Sequence, residues 1–382
     1  MFGNAPKVGS TSDSGERLIA PVEELAAELA AGRMVILMDD EDRENEGDIV
    51  AAAEKITPAH INFMLRHARG LICLPMTEER LGQLGLRMMV AENTAPMGTA
   101  FTVSIDAREC AASGISAADR ATTILRAVSD DADAGDFVVP GHVFPLRARE
   151  GGVLVRTGQT EGAVDLCRIG GLKPAGVICE VLNEDGTMAR LPDLARFART
   201  HGLKVGTVAD IIQYRLQKES LVTRIASARL PTRFGGEFTA HVYRSNVEDG
   251  EHIVLVKGDV TPEKPVLVRA HAEYLPGDVF GYTQRNTGRL LHAAMERIAT
   301  EGSGVILYVR RHGRGAEMLA ENERGPASTN PHARLANFKD YGIGAQILRD
   351  IGVRKIRLLT NSPPRLSNLA GYGLEVVEVL PL

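Results

Sequence analysis

The sequence predicts two domains in tandem, each mixing helices and strands. Three observations carry this. The chain has 382 residues, long for one domain and comfortable for two. Helical and strand-like patterns alternate in both halves, the mark of α+β or α/β architecture. The texture then changes near residues 205–225, across the charged helical stretch VADIIQYRLQKESLV, from helix-rich to strand-rich.

Residues 1–16 carry Gly, Ser and Asp without periodicity and read as a flexible tail. PVEELAAELAAGR reads as a short helix with Pro21 at its start and Gly32 at its end. MVILM is a strand candidate, PAHINFMLRHARG a second helix and GLICLPM a short buried strand. SAADRATTILRAVSD has Ser116 as a cap and an apolar helical face. TEGAVDLCRIGG and PDLARFARTHG read as further helices, the second closed by Gly202. Beyond the boundary, EFTAHVYR, HIVLVKGDV, PVLVRAHAEY, GVILYVRR, KIRLLT and LEVVEVL read as strands. The helices RLLHAAMERIATEG and GAQILRDIG are interleaved with them.

Hydrophobic residues make up 44% of the chain and charged residues 24%, so both halves can bury a core. The formal net charge of −5 argues against a nucleic-acid or membrane-surface binder. Trp is absent, which makes base-stacking platforms unexpected. No apolar run approaches the roughly 18 residues that span a bilayer. The opening residues lack an apolar secretory core, so a cytoplasmic protein is expected. Cys73, Cys110, Cys167 and Cys179 form no close pair. They read as free thiols, mostly buried as small hydrophobes.

The stretch most suggestive of chemistry is DDEDRENEGD, residues 39–48, which directly follows MVILM. It packs seven carboxylates beside a single arginine, Arg43. Crowded carboxylates raise each other's pKa values unless a cation or donors compensate. A hard divalent ion is the simple compensation, and Mg²⁺ suits oxygen donors. PGHVFPL places His142 between turn residues. RTGQTEG offers Arg156, two glycines and Thr160 ahead of a helical pattern, a combination suited to a phosphate. ASGISAADR supplies a second Gly/Ser turn entering a helix. VICEVLNEDGTMAR puts Glu180 at the end of an apolar run, where a carboxylate can be shifted toward base duty. Spacing alone does not join these pieces. Composition and spacing reach a metal-dependent site for a small phosphorylated anion, and no further.

DDEDRENEGD, MMVAENTAPMGTAFTVSIDA, SGISAADRATTI, PGHVFPLRAREGGVLVRTGQTEGAVDL and AGVICEVLNEDGTMARLPDL closely resemble 3,4-dihydroxy-2-butanone 4-phosphate synthase. The resemblance runs over about residues 17–215 and implies an α/β sandwich. It implies a homodimeric lyase of riboflavin biosynthesis, dependent on Mg²⁺ or Mn²⁺. Such an enzyme converts D-ribulose 5-phosphate to the four-carbon phosphate plus formate. By the same resemblance Glu44 and Gln159 are metal positions. Arg43, Glu44, Asp48, Arg156, Thr157, Gly158, Gln159, Thr160 and Glu180 are substrate-binding positions. His142, Glu180 and Asp48 are the catalytic candidates. One residue departs from the family pattern: this chain has GQTE where the family usually has GHTE. An amide oxygen is a hard donor and still ligates Mg²⁺, but it is no general base.

Residues 220–382 resemble GTP cyclohydrolase II through VRAHAEYLPGDVFG, RRHGRG, DYGIGAQILRDIGV and LLTNSPPR. That family holds a zinc ion with three cysteines. Their positions here are Tyr274, Arg285 and Thr287, and no cysteine follows Cys179. His271, His292, His312 and His332 do not restore the spacing. His312 also replaces a glutamate that contacts GTP, and Asn337 and Lys339 replace a catalytic Asp and Arg. A catalytic zinc needs about three protein ligands plus an open position. The expectation is therefore an α/β domain without zinc and without cyclohydrolase activity. Arg269, Asp278, Arg314, Thr360 and Arg365 keep apparent nucleotide-site positions, which leaves GTP or a protein as a partner for this domain. The alternatives are a bifunctional enzyme that also hydrolyses GTP, and a catalytically silent regulator of the pathway.

Overall fold

The computed structural model of the protein describes residues 19–41, 43–110, 113–247, 250–310, 342–361 and 369–382. The chain divides into two compact units, Met1–Tyr214 and Arg215–Leu382.

In the first unit, α1 (Val22–Ala30) leads into β1 (Val35–Met38) and β2 (Gly47–Ala52). Every residue of both strands is buried. A helix follows at α2 (Pro58–Phe63), capped by Thr57, whose side chain accepts from the His60 N–H. The single helix expected here changes pitch after Phe63. Met64–Ala68 is a π turn that ends on Arg69 at φ 71°. Such turns gather at functional sites. This one delivers Gly70 against Glu180, where an added Cβ would fall 2.4 Å from the Glu180 carbonyl oxygen. Next come β3 (Cys73–Met76), α3 (Glu78–Gln83), β4 (Ile105–Ala107) and α4 (Ala117–Ala127), with Ser116 capping α4. The run continues with β5 (Phe137–Arg147), α5 (Gln159–Ile169) and β6 (Gly176–Glu180). It closes with α6 (Leu191–His201), β7 (Lys204–Thr207) and α7 (Val208–Lys218). The helix expected to run on through Val222 stops at Lys218.

The first sheet has seven strands in the order β4-β5-β3-β6-β2-β1-β7, parallel and antiparallel pairs mixed. Ile36, Ile49, Leu74, Val177 and Cys179 pack with Ile61 and Met64, Ile124 of α4 and Leu194 of α6. Each such aliphatic side chain contributes about 1.5–3 kcal/mol by burial. On α5, residues Gln159 through Cys167 are all buried. Gly162 lets α5 approach closely, since a Cβ there would lie 2.5 Å from Leu37. This buried helix aims its N-terminus at the end of β1 that carries the acidic loop.

The second unit builds another seven-stranded sheet. Its elements are β8 (Val222–Thr232), β9 (Gly236–Ser245), β10 (Glu251–Lys257), β11 (Pro265–Ala272), α8 (Leu275–Asp278) and α9 (Thr287–Glu301). They are followed by β12 (Gly304–Val309), a helical stretch at 342–351, β13 (Lys355–Leu359) and β14 (Glu375–Leu380). The strand order is β14-β13-β11-β12-β10-β9-β8. Phe238, Leu255, Leu267, Ile306 and Leu359 meet Ala294, Met295 and Ile298 of α9 in its core.

Candidate active site

The acidic loop is organised by its first residue. Asp39 is buried, and its carboxylate accepts from the N–H groups of Glu46 at 2.8 Å and Glu44 at 3.1 Å. It also accepts from Arg43 Nη1 at 2.6 Å. Asn45 takes the left-handed conformation, φ 55°, which Asn tolerates better than most residues. From the start of α6, Arg190 reaches over the loop. Its Nη1 donates to the carbonyl of Glu44 at 2.6 Å and to that of Asn45. A loop that reads as a solvated charge run is thus pinned from below by a carboxylate and from above by a guanidinium.

Arg43 Nη1 also donates to Glu44 Oε2 at 2.5 Å and to Gln159 Oε1 at 3.1 Å. Glu44 and Gln159, the two expected metal positions, therefore point oxygens at one positive group. Gln159 Nε2 donates to the Glu46 carbonyl, which fixes the amide with its oxygen inward. Two hard oxygens converging on a shared cation suit a divalent ion that keeps several waters. The donor set fits Mg²⁺.

Asp48 does not lie in the loop, as its motif suggests. It is on β2, fully inside, and directly opposite Glu180 on β6. Burial, then the charges of Glu180, Asp39, Glu44 and Glu46, push the Asp48 carboxyl well above its ordinary range. Glu180 Oε2 accepts from the Leu71 N–H at 2.8 Å, which Gly70 makes possible. Beneath this pair sits Cys73, buried, with its thiol pushed up by burial and by Glu180 and Asp48. All four cysteines are free.

Arg156 sits just ahead of α5. Its Nη1 donates to Glu161 at 2.7 Å and its Nη2 to Thr99 Oγ1 at 3.1 Å, while Nε and Nη2 share the Met97 carbonyl. Gly158 caps α5 where a Cβ would fall 2.4 Å from Arg156 Nη1. Thr160 is buried and Thr157 half-buried in the same turn. The N–H groups of a helix start and an arginine beside them make an anion-binding arrangement.

His142 is not in a turn. It lies within β5, where the pairing with β4 jumps from Ile105↔Val143 to Asp106↔Val138. The residues between bulge outward, and bulges next to active sites re-aim side chains. Gly141 is required here, since a Cβ would lie 2.0 Å from the Ile105 carbonyl carbon. His142 Nδ1 pairs with Asp106 Oδ2 at 2.7 Å, and its N–H donates to Asp106 Oδ1 at 2.9 Å. An ionised carboxylate only accepts, so Nδ1 carries the proton and Nε2 is the working nitrogen. Cys73 is paired with both Ile178 and Phe144. His142, two residues before Phe144, therefore lies toward the end of the sheet that carries Glu180, two residues after Ile178. The structure joins Arg43, Glu44, Gln159, Asp48 and Glu180 around one loop. It places His142 on β5, two strands along the sheet from Glu180 on β6.

Sequence reading passed over Asp39, Asp106, Glu161 and Arg190. All four lie inside quoted motifs, but nothing in the spacing shows which residues they hold.

In the second unit Tyr274, Arg285 and Thr287, expected in place of three cysteines, come together. The Arg285 guanidinium lies 4.3 Å over the ring of Tyr274, which is buried. Thr287 Oγ1 donates to Asp278 Oδ1 at 2.5 Å, and the Tyr274 N–H donates to Asp278 Oδ2. His271 Nε2 and the Tyr308 hydroxyl complete the set, at 2.9 and 2.8 Å. Burial alone would raise the Asp278 carboxyl. The bonds from His271, Thr287 and the Tyr274 N–H outweigh it and hold the pKa at about 2. An arginine, a tyrosine ring and an engaged hydroxyl are not zinc ligands, so the residues do not fit that metal. Arg269 Nη1 donates to the Leu359 carbonyl, and the Thr360 N–H to that of Leu380. His312, Arg314, His332, Asn337, Lys339 and Arg365 lie outside the described residues.

No helix among the described residues is long and apolar enough to cross a membrane. The family model for 3,4-dihydroxy-2-butanone 4-phosphate synthase matches residues 23–214, and that for GTP cyclohydrolase II matches residues 223–381. The riboflavin biosynthesis protein RibBA of Aquifex aeolicus is 52% identical over 373 residues, 94% of this chain and 92% of the relative. RibBA of Bacillus cereus is 50% identical over 370 residues, 94% and 93% of the two chains. Among solved structures, RibBX of A. baumannii, a two domain 3,4-dihydroxy-2-butanone 4-phosphate synthase, is 42% identical. It matches 95% of this chain and 99% of its own at a TM-score of 0.77. A 3,4-dihydroxy-2-butanone 4-phosphate synthase in complex with two magnesium ions is 41% identical, at a TM-score of 0.51. It covers 52% of this chain and 98% of its own.

Proposed function

This chain belongs to the family of riboflavin biosynthesis proteins that join a 3,4-dihydroxy-2-butanone 4-phosphate synthase domain to a GTP cyclohydrolase II-like domain, and from that premise we propose that it works as the synthase alone. The first domain, residues 17–215, converts D-ribulose 5-phosphate to 3,4-dihydroxy-2-butanone 4-phosphate and formate, as a homodimer. The second, residues 220–382, is a scaffold without zinc and without cyclohydrolase chemistry. The observation that carries the synthase reading is the Asp48–Glu180 pair across two buried strands, beside the loop that presents Glu44 and Gln159.

Glu44 and Gln159 would hold Mg²⁺ or Mn²⁺, which when bound supplies Lewis-acid stabilisation to negative charge on substrate oxygens. Arg156 and the start of α5 bind the phosphate of ribulose 5-phosphate. Arg43 and Asp48 orient the sugar hydroxyls. The ketose must lose its C3 proton, and two carboxyl groups in register can take and return protons. Glu180, held by the Leu71 N–H, is the base, and Asp48, whose carboxyl burial holds in its protonated form to higher pH than usual, is the acid beside it. His142 Nε2, with Asp106 fixing the ring, serves the later proton transfers in which the C1 hydroxyl leaves and formate is released.

The support for a silent second domain is the occupation of the three cysteine positions by a stacked Tyr274–Arg285 pair and by Thr287 bound to Asp278. The bifunctional reading is favoured by the family match over residues 223–381 and by the similarity to RibBA proteins. One assay on the full-length protein separates them. Formate from ribulose 5-phosphate with Mg²⁺, and no pyrimidine product from GTP with Zn²⁺, is the expected result. Stoichiometric Zn²⁺ in the purified protein, or turnover of GTP, would establish the bifunctional enzyme instead.

A further inference from the structure

The first unit holds a buried cation that the mechanism above leaves unused. Arg120, in the first turns of α4, is 8% exposed. Its Nε is sealed from solvent and bonds to nothing. Among the described residues its guanidinium has no hydrogen bond and no ion pair. Arg43 shows the contrast: its side chain is also largely enclosed, but it donates to Asp39, Glu44 and Gln159. Burying an unpaired charge is costly, and proteins avoid it unless a partner arrives.

The surroundings say what kind of partner. The ionisable groups acting on Arg120 are Cys179 and Asp106. The Cys179 thiol is itself pushed up to about 12, chiefly by burial, so it supplies no anion near neutrality. Asp106 is already committed: both of its oxygens are taken by His142. The loop entering α4 lies on that same carboxylate, since a Cβ on Gly114 would fall 2.1 Å from Asp106 Oδ2. Arg120, Asp106, His142 and the start of α4 are thus one neighbourhood, in which the carboxylate acting on Arg120 is already bonded to His142 and Arg120 keeps its charge unpaired.

We propose that Arg120 is an oxyanion-binding residue, and that a small anion derived from the substrate docks on it beside the Asp106–His142 pair. The inference rests on the synthase reading for the identity of that anion. The sugar phosphate is placed at Arg156 and the start of α5, so the anion left for Arg120 is the carboxylate released as formate, which a planar guanidinium receives with two parallel bonds.

The test uses the full-length protein with Arg120→Met and Arg120→Lys. A structural arginine destabilises the fold when it is removed, whereas an unpaired one does not. The expected result is a ligand-free Tm for Arg120→Met equal to or above that of the wild type. Sodium formate should raise the wild-type Tm and leave that of Arg120→Met unmoved. An Arg120-dependent shift with inorganic phosphate and none with formate would overturn the formate assignment. With ribulose 5-phosphate, kcat/KM should fall about ten- to a hundredfold in Arg120→Met, the loss of one charge-assisted contact, with partial recovery in Arg120→Lys. A lower ligand-free Tm in Arg120→Met would overturn the proposal. So would equal anion shifts in both proteins, or a Tm difference that varies with protein concentration, which would mean that a carboxylate of a second copy pairs with Arg120. The Tm arm does not depend on turnover. Wild-type protein that makes no formate but shows an Arg120-dependent anion shift would refute the synthase reading and leave the site standing.

Discussion

Replacing Arg190 with Met removes the clamp on the acidic loop and keeps most of the side chain's volume. Two bonds disappear, from Nη1 to the carbonyls of Glu44 and Asn45. Bonds from a charged donor contribute about 1.5–3 kcal/mol each. Arg190 is half-buried, so water re-solvates the released carbonyls and the lower end applies: about 3 kcal/mol for the pair. If that energy serves to keep the loop closed, the closed population falls by up to about a hundredfold, and apparent metal affinity falls with it. The assay is formate production titrated with Mg²⁺, with Mn²⁺ binding followed directly by electron paramagnetic resonance. The half-saturating metal concentration should rise about ten- to a hundredfold, with kcat at saturating metal nearly unchanged. Arg190→Lys, able to reach one carbonyl, should fall between. An unchanged metal requirement with a lowered Tm would show that Arg190 supports the fold and not the loop, and the reasoning would fail.

Asp48→Asn tests the buried carboxyl. Its pKa is raised in the folded protein, so folding holds a proton that the unfolded chain releases at about pH 3.9. That contribution is fully present below the unfolded value and is lost as pH rises toward the folded one. In metal-free protein the urea midpoint of Asp48→Asn, relative to wild type, should therefore increase between pH 4 and pH 8 while turnover is lost; a constant difference would contradict the assignment. Thr287→Val tests the second unit. Asp278 is held at about 2, so its contribution is present above the ordinary Asp value and lost as pH falls. Removing the Thr287 bond should raise the acid midpoint for hydrogen exchange in α9 by about 0.5 pH units, and metal chelators should leave that transition where it is.

Much of the fold was legible because its signals are local. The run MVILM, the Ser116 cap and Gly202 each act within one turn or one strand, and the structure has β1, α4 and the end of α6 where they predict. What stayed hidden depends on distant partners. GDIVAA reads as the tail of an acidic run, and becomes a central strand only because β1 and β6 flank it. His142, between Gly141 and Val143, looks like a turn residue, and becomes part of β5 because β4 accepts a bulge there. The candidate site divides the same way. Arg43, Glu44 and Gln159 were named from motifs. The residues that hold the site in shape, Asp39, Arg190 and Asp106, act through bonds to backbone or to another side chain, which no spacing encodes.

The Tyr274–Arg285–Thr287 corner of the second unit also constrains its future. Tyr274→Cys alone would empty the space of an aromatic ring and strip Arg285 of the face it covers. Arg285→Cys alone would uncover a buried ring, and Thr287→Cys alone would take a bond from Asp278. Each single step toward a three-thiolate set loses packing or a hydrogen bond before any metal can return the energy. Such a path is a valley of less stable intermediates, crossed most easily when all three positions change together. Interlocked side chains of this kind hold a corner in its present chemistry by their own stability.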